Sequence, residues 1–324
     1  MTESRLRTLV ALAATGSVRG AASRLTVTES AVSASIAALA RELGVPLVEP
    51  AGRGLRLTPS GTVYARYARR VLGLLDEGAA AAAQELDPER GRLRLAAVTT
   101  AGEHLLPALL AAFRRQHPGV ALVLDVAPSE QVWDLITAHE VDLVIAGRPP
   151  AGVDTRVVAT KPNELVVVAA PAVAAAFDWT LTPWLLREQG SGTRTTVEAY
   201  LRSQDVMPPQ LVLGSNGAVV AGAVAELGAA LVSRDAVADP LTEGRLVEVS
   251  APGVPMRRPW HAVAGTYSGA ATWLFVRHLW ACGWQAPLVD PPLPPPTGGG
   301  APCRSGPSVA VGGAEPPRRN GRRG

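Results

Sequence analysis

The chain has 324 residues, more than the roughly 100–200 of an ordinary single domain, so two or more folded units are expected. Its 47% hydrophobic and 18% charged residues suffice for packed cores and exclude a wholly disordered or fibrous chain. A net charge of +3 does not by itself demand a polyanionic partner, two cysteines (Cys282 and Cys303) exclude a disulfide framework, and the absence of any run near about 18 apolar residues excludes a membrane span.

The distribution of charge is more informative than its sum. Residues 1–75 carry ten arginines against four glutamates, a local net charge of +6 and a footprint suited to nucleic acid. The opening segment MTESRLRTLVALAATGS has a short apolar run but no small-residue cleavage site, so a cytoplasmic location is expected. A first helix is predicted from the capping Thr2 through Leu6, Leu9, Val10 and Ala13 to Gly16, and Ser17 caps a second. TVT (26–28) turns into a third helix, with Thr28 as N-cap and Val32, Ile36, Leu39 and Leu43 as its buried stripe. The opposite face (Ser30, Ser33, Ala34, Ala37, Arg41) lacks bulk and acid, so it can approach a groove wall closely. VPLVE (45–49), PAGRG (50–54) and LRL (55–57) read as strand, turn and returning strand, a wing that offers Arg53 and Arg56 to phosphates or the minor groove. The candidate DNA contacts are Arg24, Thr28, Glu29, Ser30, Ser33, Arg53 and Arg56. By pattern alone, three helices and a hairpin are equally a packing module.

Residue identities shift that balance. Ser17, Ala21-Ala22, Leu25, the AVS at 31–33, Ile36, Leu39, Glu42-Leu43-Gly44, Pro46-Leu47 and Leu57-Thr58-Pro59 followed by Gly61 stand in one ordered block. This block resembles the N-terminal signature of LysR-type transcriptional regulators. The resemblance implies a winged helix-turn-helix whose third helix enters the major groove. Three positions depart from it: Glu29 stands where the family commonly has glutamine, Ala34 where an arginine usually follows the AVS, and Pro50 where an arginine ends the first wing strand. A carboxylate at Glu29 can only accept, above all from cytosine N4, and is repelled by phosphate, so altered operator preference and weaker binding are expected. The plainer alternative is that Glu29 favours the positive helix N-terminus and faces solvent.

Thr58 as N-cap and Pro59 at the first helical position start a long helix running to about Leu86, roughly 43 Å at 1.5 Å per residue. Val63, Tyr67, Val71, Leu74 and Leu75 would be wet on it, and the Ala79–Ala83 run permits close approach, so a partner helix is implied. A second copy is the economical choice; packing onto its own domain is the alternative.

From Arg92 the pattern becomes strand, helix, strand: LRLAAVTT (93–100), a helix through Leu105 to Phe113, VALVLDV (120–126), a helix from Ser129 and VDLVIAG (141–147). Short apolar strands alternating with helices predict parallel sheets covered on both faces, with ligands beyond the strands' carboxyl ends. Three strand-to-helix junctions supply the candidate effector residues. They are Thr99 and Thr100; Ser191, Gly192, Thr193 and Arg194 within GSGTR (190–194), ahead of a helix from Thr195; and Ser215 with Asn216. Glu103 adds negative charge to the first junction, and each junction alone is as readily a plain helix cap. HLLPALLAAFRRQHPGVAL, DLVIAG, GSGTR, LGSNGAVVAGAVAELGAALVSRDAV and GRLVEV are similar to the LysR-type effector domain, especially in regulators of carbon-fixation and sulfur-assimilation operons. That resemblance implies two α/β subdomains like those of periplasmic binding proteins, with a small anionic or phosphorylated metabolite between them.

The expected organisation is therefore an α/β protein of four regions. They are a winged helix-turn-helix (1–57), a linker and dimerisation helix (58–91), an effector domain (92–286) and a disordered Pro/Gly-rich basic tail (287–324). In the effector domain, 92–160 with 265–286 form the first subdomain and 161–264 the second. Enzymatic function is not expected: the five histidines lack paired spacing and read as surface or turn residues, and no GxSxG, HExxH or Walker motif appears. Neither a cofactor nor a metal is expected, and Cys282 is placed in the core beside Trp273, Leu274 and Leu279. The implied partners are double-stranded operator DNA, a small anionic effector, a second copy or a tetramer, and RNA polymerase, with no membrane. A winged-helix regulator with weakened DNA binding, acting mainly through protein partners, is the alternative.

Overall fold

A computed structural model describes residues 1–52, 54–84, 91–266 and 268–287; Arg53, Cys303 and the expected tail from residue 288 lie outside the described residues. The first three helices are α1 (Glu3–Thr15), α2 (Val18–Leu25) and α3 (Glu29–Leu43). Ser17 Oγ accepts from Gly20 N at 3.0 Å and Thr28 Oγ1 from Ala31 N at 3.2 Å, as their cap roles require, whereas Thr2 holds the N-cap position of α1 with no side-chain bond. Gly16 and Gly44 close α1 and α3 at φ 67° and 71°, a left-handed conformation that favours glycine. Leu9, Leu12, Ala21, Val32, Ile36 and Leu39 pack together with Leu47, which fixes the angle between α2 and α3.

The wing is β1 (Val48–Ala51) paired antiparallel with β2 (Gly54–Leu57), so the first strand starts later than the sequence suggests and includes Pro50, opposite Leu55. A two-stranded ribbon tolerates that missing N–H because both its strands are edges. Thr58 Oγ1 accepts from Gly61 N at 2.9 Å and donates to Pro46 O at 2.7 Å, starting α4 (Pro59–Gln84). A methyl on Gly61 would fall 2.0 Å from Leu47 O, so glycine is what lets α4 begin against the wing. The described helix of 26 residues is about 39 Å long. One side of α4 packs on α1 through Leu6, Ala68 and Leu72, while Val63, Tyr67, Val71, Leu74 and Leu75 remain exposed.

The remaining chain runs β3 (Arg92–Val98), a π-helical turn (Ala101–Leu105), α5 (Leu106–Gln116), β4 (Ala121–Ala127), α6 (Ser129–Thr137), β5 (Leu143–Ala146) and β6 (Thr155–Lys161). It continues with β7 (Glu164–Ala169), α7 (Pro171–Ala175), β8 (Trp184–Leu186), α8 (Gly192–Ser203), β9 (Gln210–Val212), α9 (Asn216–Val224) and β10 (Ala230–Ser233). Then come α10 (Ala238–Thr242), β11 (Val247–Glu248), β12 (Met256–Arg257), β13 (Trp260–Gly265) and α11 (Ala270–Ala281).

Two lobes result. The first is a five-stranded sheet in the order β4-β3-β5-β13-β6, with β3 parallel to β4 and β5, and β13 antiparallel to β5 and β6. Apolar clusters cover both of its faces: Leu93, Leu95, Phe113 and Phe275 on one, Ala96, Val132, Trp133 and Val144 on the other. In the second lobe β10, β11 and β12 all pair antiparallel with β7, while β8 and β9 form a parallel pair. The expectation of wholly parallel sheets therefore holds only for part of each lobe, because the chain crosses between lobes and returns through antiparallel strands. That return comes before residue 265: Trp260–Gly265 already belongs to the first lobe. Cys282 is exposed just past α11 instead of buried with Trp273 and Leu279, and His278 is buried rather than superficial.

Candidate functional site

The surface expected to read DNA is presented by α3 and the wing. Glu29, Ser30, Ser33, Ala34, Ala37 and Arg41 are all exposed on α3, and Arg24 is exposed in the last turn of α2. The hydroxyls there are already organised: Thr28 Oγ1 lies 3.0 Å from Ser30 Oγ, and Ser33 Oγ donates to Glu29 O at 3.0 Å. Arg56, exposed on β2, donates from Nε to Glu49 Oε1 across the hairpin at 2.7 Å, so part of the wing's positive charge is already neutralised. Arg53 lies outside the described residues.

A second site lies between the lobes. On the first lobe it is lined by Val98, Thr99 and Thr100 at the end of β3, by Ala127, Pro128 and Ser129 at the end of β4, and by Gly147 after β5. The second lobe contributes Arg187 after β8 with Ser191, Gly192 and Thr193 at the start of α8, and the returning segment adds Arg258 and Trp260. The site therefore sits at the carboxyl ends of parallel strands, where the helix opened by Thr99, α6 and α8 all begin. Converging helix N-termini make it electropositive, as do the backbone amides they leave unpaired.

Arg258 dominates this cleft. Its guanidinium lies between two glycines: a methyl on Gly192 would fall 2.9 Å from Nη2, and one on Gly147 3.5 Å from the same atom. Nη1 reaches Thr193 Oγ1 at 3.5 Å, and among the described residues no acidic side chain pairs with it. Burial pushes its pKa below the ordinary value. Its backbone is fixed by Asn163, whose carbonyl accepts from Arg258 N at 2.9 Å and whose Nδ2 donates to Arg258 O at 2.8 Å. Ser233 Oγ, at the end of β10, in turn donates to Asn163 Oδ1 at 2.6 Å, holding in place the residue that joins the two segments crossing between the lobes. With Arg258 in place only about 30 Å³ of the cleft is free, room for little more than a water molecule.

Arg187, also buried at the cleft wall, differs in being neutralised: Nε and Nη2 donate to Glu188 Oε2 and Oε1 at 2.8 and 2.6 Å. Burial pushes Glu188 up, but those bonds leave its carboxyl below the ordinary value.

Of the effector residues expected from sequence, the cleft gathers Thr99, Thr100, Ser191, Gly192 and Thr193. It does not gather Arg194, Ser215 or Asn216. Helix α8 starts at Gly192, not Thr195, which places Arg194 one turn below Glu198; Nε donates to Glu198 Oε1 at 2.7 Å and Nη1 to Arg187 O at 3.2 Å. Ser215 caps α9, and Asn216 Nδ2 meets His104 Nε2 across the lobes at 3.3 Å. Glu103 is exposed and does not line the cleft. Sequence reasoning missed Ser129, Arg187 and Arg258; only Ser129, at a strand-to-helix junction, carried the same signal as the residues that were found.

A winged helix-turn-helix followed by a two-lobed domain with an electropositive cleft defines a DNA-binding regulator controlled by a small molecule. Comparison makes the class specific. The family described as "Bacterial regulatory helix-turn-helix protein, lysR family" matches residues 4–62, and "LysR substrate binding domain" matches 86–281. The HTH-type transcriptional regulator CbbR of Rhodospirillum rubrum is 34% identical over 253 residues, covering 76% of this chain and 84% of its own. The regulatory domain of CcmR from Synechocystis PCC6803, solved in complex with 2-PG, superposes with a TM-score of 0.54 at 28% identity, covering 59% of this chain and 96% of that one. Full-length CbnR complexed with its target DNA has a TM-score of 0.61 at 20% identity, covering 87% of this chain and 99% of that one, a likeness of fold. The chain belongs to the LysR family of transcriptional regulators, with a DNA-binding helix-turn-helix and an effector-binding domain, and is similar to regulators of RuBisCO operons; it is not an enzyme. Among the described residues no helix is long and apolar enough to cross a membrane.

Proposed function

We propose that this regulator binds paired operator half-sites as a dimer or tetramer, in the cytoplasm with the DNA it reads, and responds to a small oxyanion held between its lobes. The observation that carries the effector class is Arg258: a largely buried guanidinium that has no acidic partner among the described residues, facing helix N-termini in a cleft lined by hydroxyls. A carboxylate or phosphate ligand would take the space between the glycines that the Arg258 guanidinium fills, and would neutralise the displaced guanidinium while accepting from Thr99, Thr100, Ser129, Ser191 and Thr193. Arg258 replaces Arg194 as the proposed anion anchor, because Arg194 is engaged with Glu198. Taking 1–57 as the reading head, 58–91 as the linker and the rest to 286 as the sensor fits the breaks between elements. On that linker, the exposed apolar face of α4 supports pairing with a second copy.

The test is a thermal-shift screen of sulfate, phosphate, 2-PG and sugar phosphates beside neutral analogues. At least one anion should raise Tm, Arg258→Ala should abolish that rise, and Arg194→Ala should keep it. A rise produced only by neutral compounds, or one that survives Arg258→Ala, refutes the assignment.

A further inference from the structure

One helix spans the distance between the cleft and the linker. Helix α6 has nine residues, about 13 Å of rise, and begins at Ser129 on the cleft wall. Its other end is where α4 lands. Gly73 lies so close to the end of α6 that a methyl there would fall 2.0 Å from Ala138 O. Arg69 donates from Nε and Nη2 to Glu140 Oε1 and Oε2 at 2.9 and 2.8 Å, a bidentate pair. Glu77 Oε2 is 2.7 Å from His139 Nδ1, and His139 itself is in the left-handed region at φ 58°. Residues 69, 73 and 77 are each four apart, so one stripe of α4 grips three consecutive residues past α6. Along the same helix, Leu72 and Ala68 pack on Leu6, and Arg7 Nη2 donates to Asp76 Oδ1 at 3.0 Å, joining α4 to the reading head.

We infer that α6 is the coupling rod of the regulator: an anion at its N-terminus in the cleft shifts α6, and Arg69, Gly73 and Glu77 pass that shift to the linker helix and reading head as positioning residues. The cleft's part in this rests on its reading as the anion site. A helix is stiff along its axis, and an anion at its N-terminus interacts with its amides and dipole, which supplies the difference between occupied and empty states that any such coupling needs. None of the three α4 residues lines the cleft, so their role is distinct from ligand contact.

Ser129→Asp tests this without a ligand, since it places a carboxylate at the start of α6, where acidic residues are tolerated. Hydrogen exchange of residues 66–80 is followed in the full chain, with Ser129→Asp in the native background and in one carrying Arg69→Gln and Glu77→Gln. Ser129→Glu serves if the aspartate variant fails to fold. We expect the acidic residue to change α4 exchange about fivefold or more in the native background and to leave it nearly unchanged in the uncoupled one. No change in the native background, or an equal change in both, overturns the coupling. Because the readout needs neither ligand nor DNA, it stands apart from the anion screen: loss of the Arg258 dependence there would refute the effector assignment and leave this result intact.

Discussion

Glu29 occupies the first turn of α3, exposed, and among the described residues its carboxylate has no cationic partner. In the free protein that position favours the helix through its dipole, whereas if α3 enters the groove it would set a negative charge beside phosphates. Glu29→Gln keeps the size, removes the charge and adds a donor able to bridge adenine N6 and N7. The variant should bind operator DNA more tightly and change base preference at one position of each half-site, by about 1–3 kcal/mol. Selection of bound sequences from a random pool decides it, and identical preferred sites for both proteins would defeat the idea. At this scale, legibility depends on how local the relevant contacts are. Thr28 announces itself as a cap because its partner lies three residues on. Glu198, one turn from Arg194, is a similar local signal that Arg194 is engaged. Arg258 carries none: Thr193 is 65 residues away, and only the crossing of chain segments between lobes brings the two together.

Helix α4 shows what an element can and cannot disclose. Its start and its apolar stripe follow from period and capping, whereas the expected end near Leu86 lies outside the described residues; the stripe stays wet in the single chain, with Tyr67 61% and Leu75 52% exposed. The docking of its other side on α6 depends on Gly73 meeting a carbonyl in a distant segment, which no local pattern encodes. The same reason explains the strands that were misplaced, since β13 joins the first lobe only through pairing with β5 and β6. If the stripe meets its counterpart in a second copy, Val71→Glu with Leu74→Glu sets like charges against each other and removes two buried apolar groups. Each such group contributes about 1.5–3 kcal/mol when buried, so self-association should weaken by at least about a hundredfold. Sedimentation at micromolar concentration should then show a monomer where the native chain is a dimer or larger. An unchanged mass would move the interface elsewhere.

Across the whole molecule the histidines are unevenly placed: His104, His117, His139, His261 and His278 all fall in the first lobe, and none in the reading head or the second lobe. Burial pushes both His261 and His278 below the ordinary value of 6.5. His261 Nδ1 is buried and has no hydrogen-bond partner among the described residues, and His278 is enclosed by Phe113 and Phe275, with its ring nitrogens against Gln116 Oε1 and Leu109 O. Unfolding lets these rings take up protons more readily than the folded lobe does. Their contribution to stability is therefore complete above about 6.5 and is lost as pH falls through their depressed folded values. Glu77 acts in the opposite sense: burial raises its pKa, so its contribution is present below the ordinary 4.5 and is lost as pH rises through the raised value. Mild acid should accordingly loosen the first lobe while leaving the reading head folded. Hydrogen exchange across a pH series locates the loss, once rates are corrected for intrinsic pH dependence, and Tm measured in parallel gives its size. His261→Gln, which cannot take up a proton, should flatten the fall in Tm below about 6.5. Equal slopes in native and variant chains would show that His261 has no part in it, and acid exchange spread evenly over reading head and sensor would show that the histidines do not set where the molecule opens.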